Sequence, residues 1–473
     1  MKKKVHFISL GCDKNLVDSE KMLNLLQKEG YEFTDDETEA EIIIINSCCF
    51  IGDAKEESIN TIIETGALKT IPHAKLKWIL LAGCLAERYS DEIGKELPEV
   101  DAIIGTASYD RLCEVIKELE DREKGLSKTI PNKEAFEKAP ESNLIIFKDK
   151  LDRLPIERDR ILTSGGHYAY LKIAEGCDKC CTYCIIPHVR GHYRSIPMDE
   201  LVREAEQLAA DGVKELILVA QETTVYGTDI YGEKRLPELL HRLCEIPGIV
   251  WIRLLYAYPE EVDERLIEAM RTEPKIVHYI DLPVQHSSDL ILKKMGRKTT
   301  LESIKSTIGA LRAAMPDIAI RTTLISGFPG ESEEQHEDML SFIKDMRFDR
   351  LGVFPFSPEE GTPAALFDDQ FSEEIKKKRA DSCMEVQQEI AFDIAEAQKG
   401  KEVDVLIEGR IPEENVYVGR TYRDAPNVDG LIFLNTGEKK DSESHGRLEY
   451  MTGVFVRARI TGGRGYDVIG EIL

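Results

Sequence analysis

The sequence predicts a three-domain α/β protein, and three observations lead to that fold class. Short apolar runs alternate with amphipathic stretches through most of the chain, a pattern typical of parallel strands joined by helices. A charged, proline-bearing segment interrupts the alternation once, and a strand-rich tail with turn residues replaces it near the end. A length of 473 residues also favours roughly three domains, each able to bury its own core.

The first predicted domain, residues 1–140, is a doubly wound α/β unit. Its parallel strands are predicted at residues 5–10, 41–45, 78–82 and 100–104. Helices are predicted at 16–28 and 54–68, and Gly30 follows the first of them as helix-ending glycines do. Residues 141–165 are charged and weakly periodic, so we expect a linker there.

The second predicted domain, residues 166–399, is an open (β/α)6 partial TIM barrel. Its six strands are predicted at 168–174, 215–220, 250–255, 278–284, 318–326 and 351–356. Six units make a shorter barrel than the usual eightfold one, and an open side would admit a large substrate. The third domain, residues 400–473, is predicted to be a small antiparallel β-barrel with turns at Asn427, 435–437 and 462–463.

Composition narrows the classes of partner. The net charge of −25 repels polyanions and favours a basic partner, so nucleic acid is the less favoured one. No apolar run approaches the roughly 20 residues that cross a bilayer, and the apolar stretch 5–10 is too short for a signal sequence. We therefore expect a cytoplasmic protein with no membrane partner. Its eleven cysteines would then serve metal binding or chemistry rather than disulfides.

Three closely spaced cysteines follow the first strand of the second domain: Cys177, Cys181 and Cys184. Loops at the ends of barrel strands build active sites, and three thiolates on one loop suit an iron-sulfur cluster. A ferredoxin-type [4Fe-4S] cluster takes four cysteines, so three would leave one iron open to another ligand. Structural zinc is the alternative, but zinc sites favour two C-x-x-C pairs and the second pair is absent here.

Three more cysteines are far apart in the first domain: Cys12, Cys48 and Cys84. Each falls just past the end of a predicted parallel strand, and such ends meet at the ligand crevice of a sheet. We therefore predict a second three-cysteine site. The alternative is that they are small buried packing residues.

The loop of Cys177 and the following residues 186–195, Ile-Pro-His-Val-Arg-Gly-His-Tyr-Arg-Ser, closely resemble the radical S-adenosylmethionine (SAM) methylthiotransferases. The resemblance covers nearly the whole chain. Further matching blocks lie at 9–20, 45–48, 82–84, 221–222, 282–286, 321–331 and 356–363.

The resemblance implies two [4Fe-4S] clusters with SAM as cofactor. Their implied ligands are Cys177, Cys181 and Cys184 at the radical site, and Cys12, Cys48 and Cys84 at the auxiliary site. By the same resemblance, one SAM would yield a 5′-deoxyadenosyl radical, and a second would methylate a sulfur held at the auxiliary cluster. From the loop and the strand-end blocks we also expect four SAM contacts: Tyr183, Gln221, Gln285 and Arg321.

The remaining cysteines receive no chemical role. Cys49 stands where the family usually has glycine, and Cys180 lies beside Cys181, so we expect both to be bystanders. Cys113, Cys244 and Cys383 stand alone in helical patterns, where packing is the expected role.

The substrate is predicted from branch-specific motifs. One branch of the family modifies an adenosine of transfer RNA, and another adds a β-methylthio group to an aspartate of small-subunit ribosomal protein twelve. Residues 14–20 and 419–430 resemble the second branch, although Asp13 replaces its customary proline. The reaction also implies a reductant such as flavodoxin or ferredoxin.

The charge of the tail agrees with this substrate. The tail resembles the TRAM domain, which grips RNA in many relatives, yet residues 401–473 hold 10 basic and 13 acidic residues, a net charge of −3. An RNA-binding module is expected to be basic, so a basic ribosomal protein fits better. The alternatives are a tRNA adenosine methylthiotransferase and a non-catalytic iron-sulfur electron carrier, which has no use for an open barrel.

Overall fold

The computed structural model describes residues 3–126, 136–138, 144–155, 157–435 and 450–473. They form two α/β units and a β-barrel in chain order, which confirms the predicted fold class. No helix within these ranges is both long enough and apolar enough to cross a membrane. The predicted turn at 435–437 falls largely outside the described residues.

The first unit is a seven-stranded sheet with helices on both faces. Its strands are β1 (Lys4–Ser9), β2 (Glu32–Phe33), β3 (Ile42–Ser47), β4 (Trp78–Ala82), β5 (Ala102–Ile104), β6 (Phe136–Lys138) and β7 (Ile145–Phe147). Its helices are α1 (Asp13–Lys28), α2 (Gly52–Ala67), α3 (Gly83–Arg88), α4 (Ser90–Glu96) and α5 (Leu112–Glu123). The spatial order is β2-β1-β3-β4-β5-β7-β6, and among these strands β6 alone runs antiparallel to its neighbour.

The central strands of this sheet are buried on both faces, as parallel strands covered by helices must be. Successive residues of a strand point to opposite faces. Ile43 and Ile45 of β3 therefore pack into one hydrophobic core, and Ile42 and Ile44 pack into the other.

The sheet continues past residue 140, the predicted end of the first domain. β7 pairs with β5 in parallel register, with Ile145 opposite Ala102, inside the segment expected to be a linker. Short strands that lie among charged residues produce no measurable period in the sequence, which is why β7 was missed. The two-residue β2 was missed for the same reason.

The second unit is an open parallel barrel, as predicted. Its strands, in both chain and spatial order, are β8 (Tyr168–Lys172), β11 (Glu215–Val219), β12 (Trp251–Leu254), β13 (Ile276–Asp281), β14 (Ala319–Ser326) and β15 (Arg350–Pro355), and β9 (Ala174–Glu175) and β10 (Arg194–Ser195) form a separate small pair. Its helices are α6 (Ile186–Arg190), α7 (Met198–Ala210), α8 (Thr228–Tyr231), α9 (Leu236–Cys244), α10 (Glu264–Thr272), α11 (Asp289–Lys294), α12 (Leu301–Ala314), α13 (Glu333–Met346) and α14 (Glu373–Glu396). β8 and β15 are the two edges of the sheet, so one side is open.

The tail is a closed five-stranded barrel. Its strands are β16 (Glu402–Ile411), β17 (Val416–Arg420), β18 (Ile432–Asn435), β19 (Phe455–Arg464) and β20 (Asp467–Ile472). All neighbouring pairs are antiparallel except β18 and β20, which run parallel. The predicted small antiparallel barrel is confirmed, and it contains one parallel pair because an odd number of strands closes only if one pair is parallel.

The predicted turn at 462–463 is wrong. Gly462 and Gly463 lie inside β19, beside a register shift against β20. A glycine inside a strand commonly marks a bulge or a close approach of another backbone. Both apply here, since a Cβ on Gly463 would lie 2.8 Å from the backbone nitrogen of Glu396.

The concave interior of the open barrel is filled by the two flanking units. Tyr170 and Ile217 of the barrel pack with Val17 of α1 from the first unit, and Leu406 of the tail joins the same core. The core therefore draws residues from all three units. This packing leaves the end of the barrel that carries the cysteine loop as the place for a reaction.

Candidate functional site

The three cysteines of the first unit follow three neighbouring strands. Cys12 precedes α1 directly, Cys48 comes one residue after β3, and Cys84 is the second residue of α3, which begins where β4 ends. β1, β3 and β4 are adjacent in the sheet, so their carboxyl ends meet at one edge. The structure thus brings the predicted auxiliary residues to one side of the sheet.

Two features hold Cys48 in this group. A Cβ on Gly11, whose φ is +89°, would lie 2.7 Å from the Cβ of Cys48 and 3.0 Å from its Sγ. Glycine at this position therefore allows the loop of Cys12 to approach Cys48 closely. The Ser58 hydroxyl of α2 accepts from the Cys48 N–H at 3.0 Å and donates to the Cys48 carbonyl at 2.9 Å.

The other three cysteines lie on one loop after β9. The Cys184 N–H donates to the Cys181 carbonyl at 3.1 Å, and the Thr182 N–H donates to the Met295 carbonyl at 2.9 Å. Gly296, with φ +73°, passes beneath the loop, where a Cβ would lie 2.6 Å from the Cys180 carbonyl oxygen. The chain after α11 therefore supports the loop from below.

Aromatic and charged side chains surround Cys181. The Tyr258 hydroxyl lies 3.9 Å from the Cys181 Sγ, and the guanidinium of Arg297 stacks 4.2 Å from the centre of the Tyr258 ring. Tyr183, one of the expected SAM contacts, packs edge-on against Phe328 with ring centres 6.5 Å apart. Aromatic rings and a buried guanidinium therefore stand beside this part of the loop.

Glu222, which follows β11, is a buried acid beside the same loop. Burial raises its pKa to about 7, against the opposing effects of a hydrogen bond from Thr224 and of Lys179, whose Nζ lies 3.7 Å from the carboxylate. One carboxylate oxygen, Oε2, has no hydrogen-bond partner. A buried acid with a free acceptor at a strand end is typical of a site that receives a donor group.

Two residues at the ends of barrel strands adopt a left-handed backbone without being glycine. Tyr256 follows β12 with φ +58°, and Gln285 follows β13 with φ +71°. Such strain costs about 1–3 kcal/mol and clusters at functional sites. The Gln285 backbone is fixed on both sides, because its N–H donates to Thr323 and its carbonyl accepts from Ile325.

The two remaining expected SAM contacts, Gln221 and Arg321, each lie against acidic side chains. Gln221 donates to Glu175 at 2.8 Å, and its own carbonyl oxygen is buried without a partner. The Arg321 guanidinium lies 3.6 Å from Asp281 and 3.8 Å from Asp429 of the tail. Arg321 therefore joins the barrel to the tail.

A buried ionic cluster connects the two cysteine groups. It consists of Arg190, the last residue of α6, with Asp18 of α1, Lys172 of β8 and Glu175 of β9. The Arg190 Nε donates to the Sγ of Cys84 at 3.4 Å, across the boundary between the first and second units. Sequence reasoning assigned Arg190 no role, although it lies within the matching block 186–195.

The donor set suits iron-sulfur clusters. Burial raises the pKa of the Cys84, Cys177 and Cys184 thiols to about 12, so they are protonated in the metal-free protein and would lose their protons to solvent when their sulfurs bind iron. Within the described residues, no three His, Cys, Asp or Glu side chains are grouped to hold a single metal ion. In an iron-sulfur cluster each thiolate binds a different iron, so three thiols need not meet at one metal ion.

The other cysteines lie beside or away from these groups. Cys49 is fully buried and its carbonyl accepts from Arg88, whereas Cys180 is exposed. Cys383 is buried in the helical core of the barrel, and Cys113 and Cys244 are half-buried against cores.

Three family models match the chain. Residues 4–105 match the Uncharacterized protein family UPF0004, residues 171–343 match the Radical SAM superfamily, and residues 400–473 match the TRAM domain. The ribosomal protein uS12 methylthiotransferase RimO of Lachnoclostridium phytofermentans is 52% identical, over 99% of each chain. The chain belongs to the RimO family. The RimO of Acetivibrio thermocellus is 46% identical, over 100% of this chain and 99% of its own.

Solved structures share the fold of the RimO-family chain at low identity. The radical S-adenosylmethionine methyltransferase TsrM from Kitasatospora setae, solved with cobalamin and a [4Fe-4S] cluster bound, has a TM-score of 0.55 at 16% identity and covers 77% of each chain. The cobalamin-dependent enzyme OxsB has a TM-score of 0.52 at 14% identity, over 80% of this chain and 56% of its own.

Proposed function

We propose that the protein adds a β-methylthio group to an aspartate of ribosomal protein uS12 in the cytoplasm, using SAM both as radical source and as methyl donor. The observation that carries the proposal is full-length similarity, at 52% identity, to a uS12 methylthiotransferase. The two cysteine groups lie in adjacent units, and Arg190, which follows the radical-site loop, contacts Cys84 of the other group. This function is also the one expected from the sequence motifs.

Each cysteine group would hold one [4Fe-4S] cluster. The ligands would be Cys177, Cys181 and Cys184 at the radical site, and Cys12, Cys48 and Cys84 at the auxiliary site. When bound, the first cluster with SAM would supply radical chemistry, and the second would hold the sulfur that is methylated and transferred. Cys49 and Cys180 are proposed to be bystanders, and the domain limits of the sequence analysis stay a proposal with the first sheet extended to Phe147.

The residues around the loop would bind and orient SAM. Tyr183, Gln221, Gln285 and Arg321 are the proposed contacts. Glu222 joins them because its Oε2, which lies 3.7 Å from Lys179, has no hydrogen-bond partner and would accept from an amino group. The Tyr183–Phe328 pair places aromatic carbon at this end of the barrel, where it would help to exclude water from a bound cofactor. Exclusion of water protects a reactive site from side reactions.

The partners follow from charge. On the tail, Arg457 pairs with Asp404 at 3.1 Å and Arg459 pairs with Glu402 at 2.7 Å, so these arginines are neutralised within the barrel. An acidic surface with internally paired arginines suits a basic protein better than an RNA backbone. A flavodoxin or ferredoxin is the proposed electron donor, and neither a membrane nor nucleic acid is a proposed partner.

The test is direct. The protein is reconstituted anaerobically with iron and sulfide, then incubated with a chemical reductant, SAM and either a uS12 peptide containing the aspartate or unmodified tRNA. Mass spectrometry should find one methylthio group on the peptide aspartate. A gain on tRNA alone would overturn the substrate and support the tRNA methylthiotransferase. No gain on either substrate, with reversible cluster reduction, would support an electron carrier.

A further inference from the structure

Arg190 is placed where both cysteine groups can depend on it. It ends α6, six residues after Cys184, yet its side chain crosses to the first unit and is 2% exposed. Its Nε donates to the Cys84 Sγ at 3.4 Å, and a second nitrogen donates to the side-chain carbonyl of Asn15 on α1. One side chain thus links the radical-site loop to an auxiliary cysteine.

The acids around Arg190 fix its orientation. Its Nη1 donates to Asp18 at 2.8 Å and to Glu175 at 3.1 Å, and Lys172 also donates to both carboxylates, at 2.8 Å in the case of Glu175. Two carboxylates balance two cations within the cluster, and all four side chains are nearly inaccessible to water. A planar guanidinium held by two acids has little freedom, so the direction of its Nε–H is set in advance.

We propose that Arg190 is a positioning residue of the auxiliary site: its Nε–H holds the sulfur of Cys84 and stabilises the negative charge that an auxiliary cluster gains on reduction. This inference rests on the proposed function, which supplies the cluster. Hydrogen bonds to ligand sulfurs raise the reduction potential of iron-sulfur clusters. The same bond lies in a buried environment, where a charge-assisted hydrogen bond is stronger than in water.

The connection continues to the radical site. Glu175 accepts from Arg190 through one carboxylate oxygen and from Gln221, a proposed SAM contact, through the other at 2.8 Å. A change at Arg190 should therefore disturb the auxiliary cluster first, and the radical site less, through Glu175. The opposite order would not follow from this geometry.

The experiment measures potentials of each cluster separately. A Cys177→Ala/Cys181→Ala/Cys184→Ala background retains the auxiliary site, and a Cys12→Ala/Cys48→Ala/Cys84→Ala background retains the radical site. Each is reconstituted and titrated with and without Arg190→Gln, following the reduced cluster by electron paramagnetic resonance. In the auxiliary background we expect about a tenfold lower ratio of reduced to oxidised cluster at fixed solution potential, which is about 59 mV for one electron.

Two further variants make the result specific. Arg190→Lys keeps the charge but replaces the fork with one ammonium, so it should also lower the ratio, though less than Arg190→Gln does. If Arg190→Gln fails to fold, the cluster potential measured in Arg190→Lys tests the proposal. The matched control is Arg253→Gln, which removes another fully buried arginine at a unit boundary, bonded to Glu215 at 2.7 Å and to the Tyr422 carbonyl.

The possible outcomes distinguish a failure of the role of Arg190 from a failure of the proposed function. An auxiliary cluster that loads but keeps its potential in Arg190→Gln and Arg190→Lys would overturn the role of Arg190 alone. An equal shift in Arg253→Gln would also overturn it, because the effect would then be general loosening. If the auxiliary background binds no cluster, the proposed ligand set fails and the role of Arg190 falls with it.

Discussion

The two cysteine groups are built in opposite ways. The radical-site cysteines lie on one loop, so their spacing is set by a few consecutive backbone torsions and by the support of Gly296. The auxiliary cysteines come from the ends of β1, β3 and β4 and meet only because those strands are neighbours in the sheet. A local site is encoded by its spacing, whereas a dispersed site is encoded by the strand order and by whatever packs between its members.

The largest expected effect is the loss of SAM cleavage when a cysteine of the radical-site loop is replaced. Cys181→Ala should reduce formation of 5′-deoxyadenosine from SAM to the background level, because the loop loses one of three cluster ligands. Chromatography of the reaction products measures this. Cys180→Ala is the matched control, since Cys180 is exposed and adjacent, and it should retain cleavage. Cleavage by Cys181→Ala at the normal rate would contradict the assignment.

At the dispersed site the expected loss is of product, with SAM cleavage retained. Cys84→Ala should still form 5′-deoxyadenosine but transfer no methylthio group to the peptide, as judged by mass spectrometry. Cys49→Ala, which alters a buried neighbour of Cys48, should still give methylthiolated peptide. Product from Cys84→Ala would show that the auxiliary site lies elsewhere.

A pair of glycine substitutions should disable one site at a time. Gly11→Ala would press on Cys48, and Gly296→Ala would press on the Cys180 carbonyl, in addition to about 1–2 kcal/mol of left-handed strain. Each reconstituted variant should hold about half the iron of the unmodified protein, because one of its two clusters is lost. Gly11→Ala should retain SAM cleavage and Gly296→Ala should lose it.

The control for this pair is Gly212→Ala. Gly212 has φ +103° and nothing within 4 Å of a Cβ, so it carries the strain without the contact. It should keep its full iron content. Loss of both clusters in Gly11→Ala would mean that the two sites fold together, against the contrast drawn above.

A buried acid, Glu222, lies beside the radical-site loop, whereas an arginine, Arg190, contacts the dispersed site. The raised pKa of Glu222 predicts that the stability of the metal-free protein depends on pH. Burial raises the pKa of Glu222 from 4.5 to about 7, so the folded chain binds more protons than the unfolded chain between those pH values. Stability should therefore fall as pH rises from 4.5 to 7, by up to roughly 3 kcal/mol from this group.

Urea unfolding at several pH values measures this contribution. Glu222→Gln should flatten the decline and raise the stability at pH 8, because a neutral amide carries no burial penalty for charge. Glu56→Gln, at an exposed position of α2, should leave the decline unchanged. An equal slope in Glu222→Gln and the unmodified protein would assign the effect to other groups.

The smallest expected effect concerns how Cys48 is held. Ser58→Ala leaves the buried N–H and carbonyl of Cys48 without their side-chain partner, at a cost of about 1–3 kcal/mol. The auxiliary cluster should then be lost to a chelator faster, as followed by absorbance, and the radical-site cluster should not. Thr61→Ala on the same helix removes an exposed hydroxyl bonded to Glu57, and should have no effect.

The local site was the easier one to predict from the sequence. The positions of Cys177, Cys181 and Cys184 on a loop at a strand end followed from their spacing and from the preceding apolar run. The auxiliary cysteines were predicted from their positions after apolar runs, which worked because β3 and β4 are continuous buried segments. Their role as ligands rests on the experiments above.

Features that depend on contacts between units were not predictable. Arg190 lies in a matching block, but only the folded chain shows that its side chain extends from the end of α6 to Cys84. The pairing of Arg321 with Asp429 likewise joins residues far apart in the chain, and no periodicity records such a contact. The parallel pair of β18 and β20 follows from barrel closure, a property of the whole tail.

The shared interior of the barrel has a consequence for how such chains can be recombined. Val17 of α1 and Leu406 of the tail pack with barrel residues, and Glu215 of β11 bonds Arg420 of the tail at 2.7 Å. A chimera whose new tail lacks this arginine would leave one carboxylate oxygen of the buried Glu215 without its partner, although Arg253 of β12 would still bond the other. A new tail, acquired in evolution or by engineering, is therefore compatible only if the barrel residues that pack against it are exchanged with it.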